Sequence, residues 1–308
     1  MITMEARTGV VVGVDGSERA HLAARYAARQ ARRLALPLTV VHVHPDYVPL
    51  APMMPLIPGD LPEIGRQLLA EGTREASAAE PDLEISSLLL TGHPASELVR
   101  AAVDARLLVL GHESTSVVTR VFTGAVAMGV AARARCPVVS VPADWRERTH
   151  GPHRIVLGYG SFEHDAALLE EGFRTASAHD AHLTVLHAWE LPGCYDDIIV
   201  RRTHDDDWNS AALERIENEL ADLRADHPDV EVDVRVVHRQ PALALREASR
   251  QADLLMLARR ADGHAPVHLG GTVRALLREA ACPVEIVPQR RRSAETGEAH
   301  SYERSGAH

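Results

Sequence analysis

Residues 9–20 of the chain read GVVVGVDGSERA. A short apolar run ends in glycine, a turn containing Asp15 follows, and a charged, alanine-rich segment comes next. This order predicts a strand buried on both faces of a parallel sheet, followed by a helix with Ser17 as its N-cap. Asp15 has two open interpretations: it binds a ligand at the end of the strand, or it shapes the turn, because Asp-Gly is a common turn pair.

The second half of the chain repeats the first. The segment LPLTVVHVHP at 36–45 matches AHLTVLHAWE at 181–190, a shift of 145 positions. The segment CPVVSVP at 136–142 matches CPVEIVP at 282–288, a shift of 146 positions. Two copies with so long a period indicate two globular domains and not a solenoid.

Each copy alternates five short apolar runs with segments of helical spacing, which predicts a doubly wound α/β sheet in each domain. The expected strands lie near residues 9–14, 38–43, 84–90, 107–110 and 137–141, and near 154–158, 183–188, 230–237, 254–257 and 283–287. We assign the domains to residues 8–144 and 152–288. Residues 289–308 are polar and lack apolar periodicity, so we predict a disordered tail there.

Two segments after the second strands are predicted as long loops. Residues 45–62 contain six prolines, which cannot sustain a helix interior, and residues 190–208 contain an acidic cluster. Loops of this length often act as lids over binding sites.

Composition and charge exclude several functional classes. The 308 residues are 45% hydrophobic and 25% charged, with a formal net charge of −10, so nucleic acid is not an expected partner. The longest apolar runs are strand-sized and no signal-peptide pattern opens the chain, so we expect no membrane segment. The three cysteines form no CxxC pair, which favours a reducing cytoplasm over a zinc site or disulfide framework.

A second candidate site follows the fourth strand of the first copy. Gly111 ends that strand, and Gly124 opens an alanine-rich helix thirteen residues later. Free N–H groups at a helix start suit phosphate, and doubly wound sheets bind ligands beyond the carboxyl ends of their strands. The alternative interpretation is that Gly124 only begins a helix.

These motifs together resemble the universal stress protein family in its tandem two-domain form. The resemblance rests on VVVGVDGS, LTVVHV, ARLLVLG followed thirteen residues later by GA, and CPVVSV, and it covers nearly all of residues 8–288. It implies a Rossmann-like, adenine nucleotide alpha-hydrolase-like fold with five parallel strands per domain in the order 3-2-1-4-5. It also implies that the two fifth strands pair with each other inside the chain, with a homodimer as a further alternative.

The resemblance further implies an ATP site in the first domain. Asp15 would hold the ribose hydroxyls, and Gly13, Val14 and Val43 would surround the adenine. The phosphate loop would consist of Gly111, Ser114, Gly124, Ala125 and Val126. Two of these depart from the family pattern Gly-x2-Gly-x9-Gly-Ser/Thr: Ser114 replaces the second glycine and Ala125 the final hydroxyl residue, whose lost contact is worth roughly 0.5–1.5 kcal/mol.

The second domain departs further from this pattern, so we expect it not to bind ATP in the usual way. Gly160 stands in the place of Asp15, Ala258 and Ala261 replace both leading glycines, and Gly271 and Thr272 are retained. An anion held by Arg259, Arg260 and His264 is one alternative for this loop, and a solvated loop is the other.

Histidines and cysteines invite two other interpretations. His42, which the repeat matches to His187, and His44 alternate on a strand, but no cysteine or acidic partner has ligand spacing, so we expect no metal site. Cys136 and Cys282 each precede a proline at a strand entry, where we expect small core residues and not nucleophiles.

The leading functional hypothesis is a cytoplasmic stress-response or signalling module that binds ATP or another adenine nucleotide in the first domain only. The alternative is an interaction scaffold of the same fold that binds no nucleotide. An enzyme is not favoured, and we expect no catalytic residues. The chain has no P-loop lysine and no Gly-x-Ser-x-Gly elbow, and Glu113 is the carboxylate nearest to Gly124.

Overall fold

The computed structural model describes residues 8–45, 61–112, 123–148, 151–191, 205–259 and 269–289. The first half contains β1 (Val10–Gly13), α1 (Glu18–Arg33), β2 (Leu38–His44), α2 (Leu61–Ala79), β3 (Ile85–Thr91), α3 (Pro94–Ala101), β4 (Leu107–His112), α4 (Thr123–Arg133) and β5 (Val138–Pro142). The second half contains β6 (His153–Tyr159), α5 (Phe162–His179), β7 (Ala181–Trp189), α6 (Asp205–Asp226), β8 (Val232–His238), α7 (Pro241–Ser249), β9 (Leu254–Arg259), α8 (Gly271–Glu279) and β10 (Val284–Pro288).

The strands form one sheet in the order β3-β2-β1-β4-β5-β10-β9-β6-β7-β8. Within each half all neighbouring strands run parallel, so each half has five parallel strands in the order 3-2-1-4-5. The predicted fold class and strand order are therefore confirmed. The apolar runs form strands that helices cover on both faces, as a parallel sheet requires. In β1, for example, Val10, Val11 and Val12 have no exposed surface.

Helix α1 begins at the turn that GVVVGVDGSERA predicts. The Ser17 side chain accepts a hydrogen bond from the Ala20 N–H at 3.3 Å, which caps the helix as expected. Leu22, Tyr26 and Ala27 lie on its buried face. The helix is therefore positioned by its cap and its apolar face together.

The ends of the two predicted loops are helical. Helix α2 begins at Leu61, because Pro62 occupies the first turn, where a missing N–H costs nothing. Helix α6 begins at Asp205, inside the acidic segment. The prediction of loops over all of 45–62 and 190–208 is therefore wrong at these ends, and the intervening residues, like the predicted tail beyond residue 289, lie outside the described residues.

The two halves meet at an antiparallel pair of strands, in which Val284, Glu285 and Ile286 of β10 face Ser140, Val139 and Val138 of β5. The main apolar core continues across this seam, because it includes residues of both halves, such as Val139 and Ile286. The Arg106 guanidinium also contacts the Glu171 carboxylate of the other half at 2.5 Å.

No helix in the described ranges is both long and apolar enough to cross a membrane.

Candidate functional site

The strand register brings the predicted ligand residues of the first half to one edge of the sheet. Gly13 pairs with Val41 on one side and with Leu110 on the other. Val14, Val43 and Gly111 therefore lie at the carboxyl ends of three neighbouring strands. This edge contains the point where the strand order reverses, between β1 and β4, which is where open α/β sheets bind ligands.

Asp15 projects from this edge with its side chain 50% exposed. Its Oδ1 accepts a hydrogen bond from the Ser17 N–H at 3.1 Å and a second one from the Ser17 hydroxyl. Its Oδ2 accepts from the Arg19 guanidinium at 3.1 Å. The carboxylate thus shapes the turn and still presents surface to solvent, so both interpretations of Asp15 have a structural basis.

The charge of Asp15 is well defined. Partial burial alone would raise the pKa of this carboxyl, but the Ser17 hydrogen bonds and the Arg19 guanidinium outweigh burial and lower the pKa below its usual value. Asp15 is therefore an anion at neutral pH and an acceptor for hydroxyl donors such as those of a ribose.

Two glycines at this edge are required by the backbone. Gly16 has φ of +77°, a left-handed conformation that favours glycine, and it follows Asp15 in the turn. A Cβ at Gly111 would lie 2.5 Å from the Arg19 carbonyl oxygen, so this glycine lets the first turn of α1 pack against β4. Gly111 therefore has a packing role whether or not it meets a phosphate.

The remaining residues of the predicted phosphate loop are only partly described. Gly124, Ala125 and Val126 lie in the first turn of α4, and Val126 is partly buried against the main core. Ser114 lies outside the described residues. The role of this loop in holding phosphates stays a prediction.

A hydrogen bond that the sequence did not indicate recurs in both halves. His42 Nδ1 lies 2.8 Å from the Val14 carbonyl oxygen, and His187 Nδ1 lies 3.1 Å from the Tyr159 carbonyl oxygen. Because a carbonyl only accepts, Nδ1 carries the proton in each ring. These histidines tie the last carbonyl of the first strand to the second strand, and their recurrence 145 positions apart was the available signal.

The turn after β6 has a carboxylate of its own. Asp165, in the first turns of α5, has only 1% of its surface exposed. Its Oδ2 accepts from the Gly160 N–H at 2.6 Å and from the Ser161 N–H at 2.9 Å. Although Gly160 stands in the place of Asp15, this turn does not lack a carboxylate, because Asp165 supplies one. The same need, an acceptor for the turn N–H groups, is met from within the helix.

Both turns therefore contain a carboxylate that accepts from the N–H groups of the turn. The need of the turn for an acceptor explains Asp15 as well as it explains Asp165, so it does not by itself indicate a ligand. The case for a ligand at Asp15 now depends on the exposure of that side chain, which contrasts with the burial of Asp165.

A cleft of about 730 Å³ lies at the carboxyl edge of the second half. It is lined by the strand ends at Tyr159, His187 and Ala258, by Asp165, and by the start of α8 at Gly271. Thr272, the retained hydroxyl residue, also lines it. The second half therefore keeps a cleft at the place where its fold predicts one.

Arg259 does not face this cleft as an anion ligand. Its guanidinium donates to the Ala134 carbonyl at 2.5 Å and to the Ala131 carbonyl at 3.2 Å, at the end of α4 in the other half. A cation at the carboxyl end of a helix is favourable because the terminal carbonyls lack helical partners. Arg260 and His264 lie outside the described residues.

The cysteines and histidines show ordinary structural environments. Cys136 and Cys282 are free and buried, and burial raises the pKa of Cys136 to about 11, so its thiol stays protonated at neutral pH. His44 Nε2 lies 3.0 Å from the Thr91 hydroxyl oxygen. Within the described ranges, no cluster of three or more His, Cys, Asp or Glu side chains is arranged to hold a metal ion.

Comparisons with known proteins agree with this architecture. The model of the universal stress protein family matches residues 7–142 and, separately, residues 152–288. The universal stress protein Rv2005c of Mycobacterium tuberculosis (strain ATCC 25618 / H37Rv) is 30% identical over 302 residues, covering 91% of this chain and 97% of that protein. The universal stress protein Rv2623 of the same strain is 29% identical over 292 residues, covering 90% and 95% respectively.

A solved structure supports the fold independently. The universal stress protein from Archaeoglobus fulgidus DSM 4304 superposes with a TM-score of 0.69 at 16% identity, over 93% of this chain and 98% of that one. This likeness concerns the fold alone, whereas the family matches span both halves of the sequence. The chain belongs to the universal stress protein family, in its tandem two-domain form.

Proposed function

We propose that this protein is a stress-response or signalling module that binds ATP or another adenine nucleotide in its first domain only. The observation that carries the proposal is the Asp15 carboxylate, which is anionic and half exposed at the switch point of the first half. Gly13, Val14 and Val43 end the neighbouring strands at the same edge, where they would surround the adenine. In the second domain the corresponding position is Gly160, and its carboxylate, Asp165, is buried.

The Asp15 carboxylate is the part of this site that a substitution can test. We expect the intact chain to bind one ATP, and Asp15→Asn to weaken binding by about tenfold, because a neutral acceptor holds ribose hydroxyls less strongly than a carboxylate. Asp15→Ala should weaken binding further, because no acceptor remains. Isothermal titration calorimetry of both variants measures this.

A control separates loss of a ligand contact from loss of negative charge. Asp104→Ala removes an exposed aspartate three residues before the start of β4, at the opposite edge of the sheet, and should leave ATP binding unchanged. Equal ATP affinity in the wild-type chain and in folded Asp15→Ala would contradict the assigned role of Asp15.

An interaction scaffold without nucleotide is the second candidate. It is favoured by the Ser17 and Arg19 hydrogen bonds, which already occupy both oxygens of Asp15, and by the departures at Ser114 and Ala125. Absence of any heat with ATP at about 1 mM would favour this candidate, since a ligand that fails to bind at this concentration gains less than about 4 kcal/mol from the protein.

Our proposal also includes stable pairing of the two domains through their fifth strands. It is supported by the β5–β10 register, by the Arg106–Glu171 contact and by the Arg259 contacts to α4. With the β5 edge covered by β10, the chain has no need of a second copy to cover it.

Cleavage between the domains tests this pairing. A protease site placed at residues 149–150 should give two fragments that stay together in native mass spectrometry and size-exclusion chromatography. The apolar core shared across the seam is the reason, because separation would expose it to water. Uncleaved chain and chain cut at an engineered site in the tail should elute alike. Fragments that separate would contradict the pairing.

The proposed role is binding and not catalysis, and its proposed location is the cytoplasm. Glu113, the carboxylate nearest to Gly124 in the sequence, lies outside the described residues. The cytoplasmic location is supported by the free, buried thiols of Cys136 and Cys282, which suit a reducing compartment.

A further inference from the structure

The cleft of the second domain contains a buried carboxylate oxygen that accepts no hydrogen bond from the described residues. Asp165 lines this cleft and uses Oδ2 for two backbone N–H groups. Its Oδ1 is also buried, and it has no hydrogen-bond partner in the described part of the chain. Buried carboxylate oxygens are normally paired, so this oxygen is suited to a donor from outside the protein.

A second acceptor lines the same cleft. His187 donates through Nδ1 to the Tyr159 carbonyl, which leaves Nε2 as the acceptor of a neutral ring. Burial lowers the pKa of His187, and nearby Arg215 acts in the same direction, so the ring stays neutral at physiological pH. Asp165 Oδ1 thus lacks a donor among the described residues, and His187 Nε2 is able to accept one.

The charge of the cleft favours a cation. Its described lining contains two carboxylates, Asp165 and Glu190, and neither lysine nor arginine. Arg259, the cation that the sequence placed nearby, is held by α4 carbonyls of the other domain. Arg215 lines the adjoining groove with Trp208. A polyphosphate would therefore meet negative charge from the described lining residues.

Aromatic side chains add a further preference. Tyr159 and Trp189 line the cleft; Trp189 stacks on His238 and on Trp208, with ring centroids 4.0 and 5.4 Å apart, so Tyr159 is the one of the two on which no described ring stacks. Aromatic rings attract cations, most strongly where water is excluded. Thr272, at the start of α8, also lines the cleft, and its hydroxyl can accept from a ligand N–H.

From these contacts we propose that the cleft of the second domain binds a small organic cation whose N–H groups donate to Asp165 Oδ1 and His187 Nε2. An amine, amidine or guanidine satisfies this chemistry. The site is independent of the nucleotide site proposed in the first domain, because no residue is shared between them.

Calorimetry on the full chain tests the proposal, with Asp15→Ala present throughout to weaken the first-domain site. The probes are agmatine and putrescine, which carry N–H donors, tetramethylammonium, which has charge but no N–H, and ATP. We expect agmatine or putrescine to bind and tetramethylammonium to bind at least about tenfold more weakly.

Gly270 provides the blocking variant and its control. Among the described residues, no atom lies within 4 Å of a Cβ built at Gly270, and the φ of −57° at this position suits any residue. Gly270→Leu should fill the mouth of the cleft and weaken cation binding at least about tenfold, whereas Gly270→Ala should leave it unchanged. Asp165→Asn, checked for folding by circular dichroism, should also weaken binding.

Three results would overturn the proposal. One is the absence of binding by both agmatine and putrescine at about 10 mM, a concentration that would detect a site with a dissociation constant in the millimolar range. Another is cation binding that Gly270→Leu leaves unchanged. The third is ATP binding that Gly270→Leu abolishes, which would identify a nucleotide cleft in the second domain.

Discussion

The free energy of unfolding of the wild-type chain is expected to fall strongly as the pH rises from about 5 to about 8, because Glu285 becomes ionised. Replacing Glu285 with glutamine should abolish this part of the pH dependence. Glu285 lies in β10 at the seam between the domains, opposite Val139 of β5, and only 4% of its surface is exposed. Its Oε1 has no hydrogen-bond partner in the described ranges. Ionising this side chain therefore places a poorly solvated charge in the middle of the sheet.

The neighbouring cations do not rescue Glu285. Burial raises the pKa of this carboxyl to about 7, although Arg106 and Arg174 act to lower it. Both guanidiniums are held by Glu171, which contacts each of them. Glu171 thus takes the charge partners that Glu285 would need.

The direction of the pH effect follows from the raised pKa. A carboxyl whose pKa is higher in the folded chain stabilises the fold fully below its unfolded pKa, and this stability is lost as the pH rises through the folded pKa. A shift from 4.5 to about 7 corresponds to about 3 kcal/mol in the free energy of unfolding. Glutamine, which does not titrate, removes this contribution.

Denaturant unfolding of both chains across this pH range measures the effect. The difference in unfolding free energy between wild type and Glu285→Gln should shift by about 3 kcal/mol in favour of the variant at the high-pH end. Glu231→Gln, at a carboxylate that is 84% exposed, should follow the wild type. A constant difference between wild type and Glu285→Gln would contradict the raised pKa.

Asp165→Ala is expected to destabilise the fold much more than Asp15→Ala. The first substitution leaves the Gly160 and Ser161 N–H groups without their buried acceptor, at a cost of roughly 2–5 kcal/mol. The second removes a half-exposed side chain whose turn N–H can bond to water, at a cost of about 1 kcal/mol. The two turns, which the repeat places in equivalent positions, should therefore respond very differently.

Thermal and denaturant unfolding of the two variants, without ligand, measure this difference. Asp165→Asn is the matched control, because its amide oxygen retains an acceptor for the turn, and its loss should be intermediate. Equal losses for the two alanine variants would show that Asp165 does not hold its turn as the hydrogen bonds indicate.

The fold was largely predictable because both of its signals are local. Apolar runs such as VVVG and LLVLG are too short and too continuous for amphipathic helices, and the turn at Gly16 marks where β1 gives way to α1. The repeat then shows the same order of apolar runs and helical segments a second time, which supports the same fold for both halves. Helix starts at Leu61 and Asp205 were missed because nearby prolines and an acidic cluster suggested loops, although the first turn of a helix accepts both.

The candidate sites were only partly predictable because their contacts cross between elements. Aligning the repeats places Gly160 opposite Asp15, and nothing in the sequence shows that Asp165 reaches back to the same turn. Arg259 likewise follows a strand end, where a ligand contact is plausible, yet its guanidinium crosses to α4 in the other domain. Asp15 itself was identifiable, because its place after a buried strand is a local feature.

Photolabelling of the intact chain with 8-azido-ATP, followed by mapping of the labelled peptides, determines whether adenine nucleotide binds in the first domain only. We expect label on peptides from residues 8–144, near Val14 or Val43, and we expect ATP to displace this label and Asp15→Ala to abolish it. Displaceable label on peptides from residues 152–288, equal to that in the first domain, would contradict this expectation.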